Sequence, residues 1–534
     1  MTLPNDETTL SEIVVQDIRG AIEKNLPSRI WQKDATVWKS DADAAKVILN
    51  RLGWLSVPDA MLAQHDAITE FAEQVRKDGI THVALLGMGG SSLCVEVIRD
   101  TFGVKAGYPT LLVLDSTHPD QVHNVERGCD LDHTLFVVAS KSGTTLEPEC
   151  FYAYFWDKLA HLGEARAAHF VAITDPGSEL EKLANDLHFR RVFANPPDIG
   201  GRYSALSYFG MVPAALIGVD IHEVLSLASS AASMSKTEDD RNLALTLGVF
   251  FGEGWSAGRD KLTIVTDPAM RSFGYWAEQL IAESTGKEGK GILPIEGESE
   301  AARREQAAKR TTVHITVGDN SLSAEERTQP HVLELHMLDV QALGAQFFRW
   351  EFATAIAGSM MGINPFDEPN VAEAKAKTNE VLSKYDGSSP LEFPDLQSSF
   401  DRAALDTFLS ANVKADGYIA IMAYINRNEA SIQALAELRE SLSLAHHVPV
   451  TVGFGPRFLH STGQLHKGGA PNGTFIQFVD TPKEDAAIPG KPYTFGTLVR
   501  AQAIGDAGTL RAHGRAVVSI DLGSDNIAGT NVSH

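Results

Sequence analysis

Between Ile80 and Ile217, short apolar runs alternate with segments of helical periodicity, and this alternation limits the possible folds more than any other feature of the chain. The runs cover 82–87, 110–115, 134–139, 169–174 and 191–195, with helix candidates at 92–102, 119–127, 146–162 and 179–187. Nearly continuous apolar strands need cover on both faces, and a helix between successive strands permits a parallel crossover. The expectation is an α/β fold: a parallel sheet flanked by helices, with ligands bound beyond the carboxyl ends of its strands. The alternation returns after a Gly- and Pro-containing stretch at 385–394, as strands at 418–424, 449–454, 474–479 and 516–522 and helices at 430–442 and 495–504. Between these regions lie helices at 222–236 and 241–257, a strand at 261–266, a helix at 270–285, strands at 312–317 and 332–338, and a long apolar helix at 342–361.

A chain of 534 residues with 43% hydrophobic content exceeds one core. Four segments follow: an N-terminal helical extension at 1–60 that wraps a later domain, α/β domains at 61–230 and 231–385, and a C-terminal α/β segment at 395–534. The net charge of -23 disfavours nucleic acid and membrane surfaces as partners. Cys94, Cys129 and Cys150 are too widely spaced for a zinc pattern, and an odd count argues against a disulfide framework. The start of the chain is polar, and no run is long and apolar enough to span a bilayer, so a soluble cytoplasmic protein is expected.

Five polar stretches carry chemistry. After the 134–139 run comes Ser140-Lys141-Ser142-Gly143-Thr144-Thr145, then a helix from Leu146. Hydroxyls at a helix start, with its unpaired N–H groups and positive dipole end, make an anion site. Without the Gly-Lys-Ser/Thr of a nucleotide loop, a single phosphate ester is favoured over ATP; an ordinary cluster of capping residues has the same composition. Gly87-Met88-Gly89-Gly90-Ser91-Ser92 follows the first strand and lets a ligand approach the backbone. Gly200-Gly201-Arg202-Tyr203-Ser204 presents a guanidinium to an anion, against the plainer reading of a surface arginine. Gln279 and Glu283 share a helix face. Glu283 stands in the last turn, where the dipole raises a carboxylate pKa toward that of a general base; the alternative is a solvated glutamate. The 455–469 loop holds His460, His466 and Lys467 with no cysteine and few carboxylates nearby, which favours acid–base or anion-binding roles over metal ligation; structural histidines are the alternative. A turn at 364–369 opens a helix carrying Lys375 and Lys377.

Together these stretches resemble the glucose-6-phosphate isomerases, a fold of paired sugar isomerase (SIS) domains. Gly87–Ser92 is similar to the family's Gly-Ile-Gly-Gly-Ser loop, and 140–147 to its Ser-Lys-Thr-x-x-Thr-x-Glu phosphate loop. The Gly-Gly-Arg-Tyr-Ser run lies in the family signature, and Gln279 to Lys287 resembles the segment of the catalytic base. The histidine loop follows the lysine helix instead of preceding it, which most resembles the isomerase half of bifunctional transaldolase/glucose-6-phosphate isomerases. The resemblance implies interconversion of glucose 6-phosphate and fructose 6-phosphate with no metal and no cofactor. It assigns Glu283 as the base, His460 and Lys375 to ring opening, and Arg202 to the charge of a cis-enediol intermediate, in place of a Lewis acid. His460 is preferred to His466 because Gln464 keeps the family's interval. Ser140, Lys141 (through its backbone), Ser142 and Thr145 would hold phosphate, while Gly90, Ser91, Gly201 and Gln279 would line the sugar site. Glu368 stands where the family has a glutamine. The resemblance leaves open a homodimer, fusion to a transaldolase, a non-catalytic sugar-phosphate-binding SIS protein, and an isomerase for another hexose phosphate such as mannose 6-phosphate.

Overall fold

The computed structural model describes residues 11–527 except 240, 328, 330, 388, 525 and 526. Residues 1–10 of the expected extension and 528–534 of the expected C-terminal segment lie outside the described residues. The apolar runs form strands as expected: β1 (His82–Gly87), β2 (Thr110–Leu114), β3 (Thr134–Ala139), β4 (Phe170–Thr174) and β5 (Arg191–Ala194). They pair in parallel in the order β2-β1-β3-β4-β5. Side chains alternate between two cores: Val83 and Leu85 face one, Ala84 and Leu86 the other. The strand order reverses between β1 and β3, and a crevice opens at such a point beyond the carboxyl ends. The Gly87–Ser92 and Ser140–Thr145 loops both emerge there.

A second parallel sheet holds β6 (Lys261–Thr266), β7 (Leu293–Glu296), β8 (Thr311–Val317) and β9 (Val332–Met337), in the order β7-β6-β8-β9. The third holds β10 (Leu396–Gln397), β11 (Tyr418–Tyr424), β12 (Val450–Phe454), β13 (Gly473–Val479) and β14 (Ala516–Asp521), in the order β10-β14-β13-β11-β12. The expected strands are thus present, and β7 and β10 are additions. Several helix bounds also differ. The helix from Leu146 ends at Lys158, followed by 3-10 turns, and the helix expected from 270 begins at Phe273 after a 3-10 turn. A helix at Arg402–Asn412 was not expected, and the last long helix, Phe495–Ala512, runs eight residues beyond its expected end at 504.

The N-terminal helices pack on the helical layer formed by Ile221–Met234, Leu243–Ser256 and Leu343–Met361. Trp38 Nε1 donates to the Ala355 carbonyl at 2.7 Å, and Trp31 Nε1 to Ser235 Oγ at 3.1 Å. Trp54 is fully buried among Tyr203, Phe348, Phe352 and Phe366. An aromatic side chain of this kind buries about 150–250 Å². At about 25 cal/mol per Å² this contributes roughly 4–6 kcal/mol to holding the segment in place.

Candidate active site

Where β1 and β3 end, the Gly87–Ser92 loop meets the Gly200–Arg202 turn. A Cβ on Gly90 would lie 1.9 Å from the Gly201 carbonyl oxygen, so only glycine lets these backbones touch. The turn delivers Arg202 into the interior, where it is 2% exposed. Its Nε donates to Ser284 Oγ at 2.8 Å, and its Nη2 to the carbonyls of Pro365 and Asp367 at 2.7 and 2.9 Å. Nη1 donates to Glu368 Oε2 at 3.1 Å and lies 3.4 Å from Glu283 Oε1. Burial opposes the charge, but Glu283 and Glu368 outweigh it and hold the guanidinium pKa above its ordinary value. The plainer reading, a surface arginine, is excluded.

Glu283 lies near the end of the Phe273–Thr285 helix. Gln279 Nε2 bridges it, donating to Glu283 Oε2 at 3.1 Å and to the His460 carbonyl at 2.7 Å. Among the described residues the buried Gln279 Oε1 has no hydrogen-bond partner, and Gln279 lines the cleft that these loops enclose. The Glu283 pKa is raised as expected, but chiefly by burial, with Glu368 adding to it and Arg202 opposing it. The helix dipole, which the sequence suggested, is not the main cause.

His460 comes from the loop after β12. Its Nε2 lies 3.1 Å from Glu147 Oε1, which also accepts from Gln502 Nε2 at 2.8 Å. Burial works to raise the Glu147 pKa. The charge and hydrogen bond of His460, a backbone N–H and the charge of Lys375 outweigh it and keep the carboxyl below its ordinary value. Glu147 therefore stays ionised beside the imidazole and orients it through the Nε2 contact. His466 is different. It packs among Tyr418, Phe458 and Phe475, both ring nitrogens lack partners among the described residues, and burial drives its pKa well down. It is a core residue.

In the 140–145 loop, Ser140 Oγ accepts from the Gly143 N–H at 3.2 Å and donates to Thr145 Oγ1 at 3.2 Å, while Ser142 Oγ accepts from the Thr144 N–H at 3.3 Å. Thr145 caps the following helix without a side-chain bond, so first-turn N–H groups are left for a ligand. The Lys141 ammonium turns aside to Asp175 and, at 2.8 Å, to the Pro197 carbonyl. Lys375 is exposed on the cleft rim. One cleft, partly open to solvent, is lined by Gly90, Ser91, Ser140, Lys141, Ser142, Thr145, Gly201, Gln279 and all four expected catalytic residues, Arg202, Glu283, Lys375 and His460. Sequence reasoning had given no role to Glu147 or Gln502. Glu147 closes the stretch that resembles the family's phosphate loop, but an acidic residue in a first helical turn is also the commonest dipole partner, so its contact with the imidazole was not foreseen.

A family model described as phosphoglucose isomerase matches residues 47–293. The probable glucose-6-phosphate isomerase of Methanococcus maripaludis is 27% identical over 387 residues, which is 63% of this chain and 86% of that protein. Among solved structures, a hypothetical protein from Thermus thermophilus superposes with a TM-score of 0.60 at 21% identity, covering 71% of this chain and 99% of that one. A glucose-6-phosphate isomerase from Chlamydia trachomatis superposes with a TM-score of 0.55 at 19% identity, covering 75% and 90%. These two likenesses concern the fold. By the match of residues 47–293 and by its curated relatives, the chain is an isomerase similar to the glucose-6-phosphate isomerases.

Proposed function

We propose that this protein interconverts glucose 6-phosphate and fructose 6-phosphate by ring opening and proton transfer through a cis-enediol. The single observation that carries the reading is the convergence of Glu283, Arg202, Gln279 and His460 on the cleft that the Ser140–Thr145 loop closes at one end. The loop anchors phosphate through hydroxyls and N–H groups. His460, held by Glu147, and Lys375 move the proton that opens the ring. Glu283 takes the proton from C2 of the aldose, leaving an enediolate charged at O1; a proton passes from O2 to O1 through the cis-enediol, and Glu283 returns the carbon proton to C1, with the reverse order serving the ketose. Arg202 faces the oxygen charge that develops between these steps, and such preorganised charge contributes a few kcal/mol. Work divides among the expected segments: 61–230 binds phosphate, 231–385 carries the base and Lys375, and 395–534 supplies His460. A hexose phosphate is charged and does not cross a bilayer unaided, so the reading places the protein in the cytoplasm.

A coupled assay run from both sugar phosphates, with mannose 6-phosphate as comparator, tests the reading. Glu283→Gln should lower kcat by about 100-fold or more, the usual contribution of general base catalysis, while a phosphorylated inhibitor still binds. Turnover near wild type would remove Glu283 as the base. Absence of isomerisation in the wild-type protein would leave the non-catalytic binding alternative.

A further inference from the structure

Arg51 is an arginine of the cleft to which neither the motifs nor the family resemblance assigns a role. We infer that Arg51, from the segment ahead of the first sheet, is the guanidinium that captures the phosphate dianion of the substrate at the 140–145 loop. This rests on the sugar-phosphate reading above and adds a specificity-determining residue to it.

A charge count in the cleft carries the inference. Arg202 is matched by Glu283 and Glu368, Lys141 by Asp175, and Lys375 stands in the field of Glu147. Arg51 lines the same cleft beside Lys141 and Asp175, and its Nη1 donates only to the neighbouring Asn50 carbonyl at 3.0 Å. Among the described residues no carboxylate pairs with it, although its charge reaches Asp175. The loop itself offers neutral hydroxyls, N–H groups and a lysine whose charge is already spent. A dianion leaving water needs opposing charge; Arg51 and Lys375 are the cleft cations without an ion pair among the described residues, and Arg51 is the one placed beside Lys141 and Asp175.

Its placement is built in. Leu52 bridges Ile199 in an antiparallel pair, the Gly53 N–H donates to the Asp198 carbonyl at 2.9 Å, and Trp54 is locked in the core. A Cβ on Gly53 would lie 2.2 Å from Asp198 Oδ1, so a larger residue would have to push the Asp198 carboxylate aside where the segment crosses that loop. Arg51 therefore projects from a pinned backbone next to the Gly200–Arg202 turn, its Cδ 3.8 Å from where a Gly200 Cβ would sit.

The test compares Arg51→Ala, Arg51→Gln and Arg51→Lys in the full chain. Loss of a charge-assisted hydrogen bond predicts a KM for fructose 6-phosphate raised about tenfold or more in the Ala and Gln variants, with kcat within about twofold of wild type. The Lys variant should recover most of the loss. Inhibition by inorganic phosphate should weaken in parallel, inhibition by an unphosphorylated polyol such as sorbitol should not, and melting temperatures should match wild type. Unchanged KM and phosphate inhibition in the Ala and Gln variants overturn the inference, as does equal weakening of sorbitol. If the wild type proved not to isomerise, direct calorimetric titration of wild type and variants with inorganic phosphate would still decide whether Arg51 binds the anion.

Discussion

Two buried glutamates show how differently the same residue type behaves with and without partners. Glu283 has Arg202 and Gln279 beside it and a cleft in front. Glu351, on the Leu343–Met361 helix, is fully buried, and among the described residues neither carboxylate oxygen has a hydrogen-bond partner. Desolvation pushes its pKa well above the ordinary 4.5. The folded protein then holds a proton that the unfolded chain releases near 4.5. Its contribution to stability is therefore fully present below 4.5 and is lost as pH rises through the folded value. Glu351→Gln removes the ionisation and should raise the melting temperature at pH 8 more than at pH 5. Glu351→Met also removes the unpaired polar atoms and should gain about 1–3 kcal/mol at both. Thermal unfolding at the two pH values checks this; a loss of stability in both variants would mean the carboxyl has a native partner. For Glu283 the sign of the rate effect is simple. A base must be deprotonated, so kcat/KM should fall as pH drops through a pKa above that of an ordinary carboxylate. The sequence pointed to Glu283 through the resemblance of the Gln279–Lys287 segment to that of the family's base, whereas the cause of its shift, burial, depends on chain segments far away. Glu351 offered no signal, because its helix is apolar in composition and an isolated glutamate defaults to solvent.

At the scale of elements, what the sequence revealed depended on how fully an element is buried. The central strands β1, β3, β4 and β11 are continuous apolar runs, and their limits were recovered to within a residue. Two strands went unrecognised for physical reasons. Leu293–Glu296 is a four-residue edge strand containing Pro294, which is tolerated at an edge where one side needs no ladder bond. Leu396–Gln397 spans two residues. The loop of His460 also gained structure, with 3-10 turns at Arg457–His460 and a short helix at Gly463–Gly468. Gln464 fastens this loop to two other elements. Its Nε2 donates to the Gly286 carbonyl at 2.9 Å and to Asn370 Oδ1 at 2.8 Å, and its Oε1 accepts from the Asn370 N–H at 2.9 Å. Those contacts tie His460 to the end of the Glu283 helix and to the start of the Lys375 helix. Gln464→Leu leaves buried backbone groups unpaired, at about 1–3 kcal/mol. The expected result is a lower melting temperature and a kcat loss of about tenfold or more through misplaced His460. A stability loss with unchanged kcat would show that the loop holds His460 without this clamp.

Across the whole molecule, three parallel sheets contribute to one cleft. The first provides the Ser140–Thr145 loop and both glycine turns; the second carries the Glu283 helix; the third supplies His460 after β12. The sequence placed these groups on separate segments and gave no distances, because their meeting depends on how the helices pack between sheets. The meeting happens inside one chain: Glu147 and His460, 313 positions apart, are joined by a hydrogen bond, and Arg202 and Glu283, 3.4 Å apart, sit in the same cleft. A site assembled this way needs no second copy to supply a proton-transfer group. Specific activity should therefore stay constant on dilution into the nanomolar range and below, including where light scattering shows a single chain. Mixing Glu283→Gln with His460→Ala supplies the sharper test. Each variant lacks a different group in the same cleft, so the mixture should be as inactive as its components. Recovered activity in the mixture would mean that cleft groups are exchanged between chains, and a fall in specific activity that follows dissociation would mean that the single-chain cleft is incomplete.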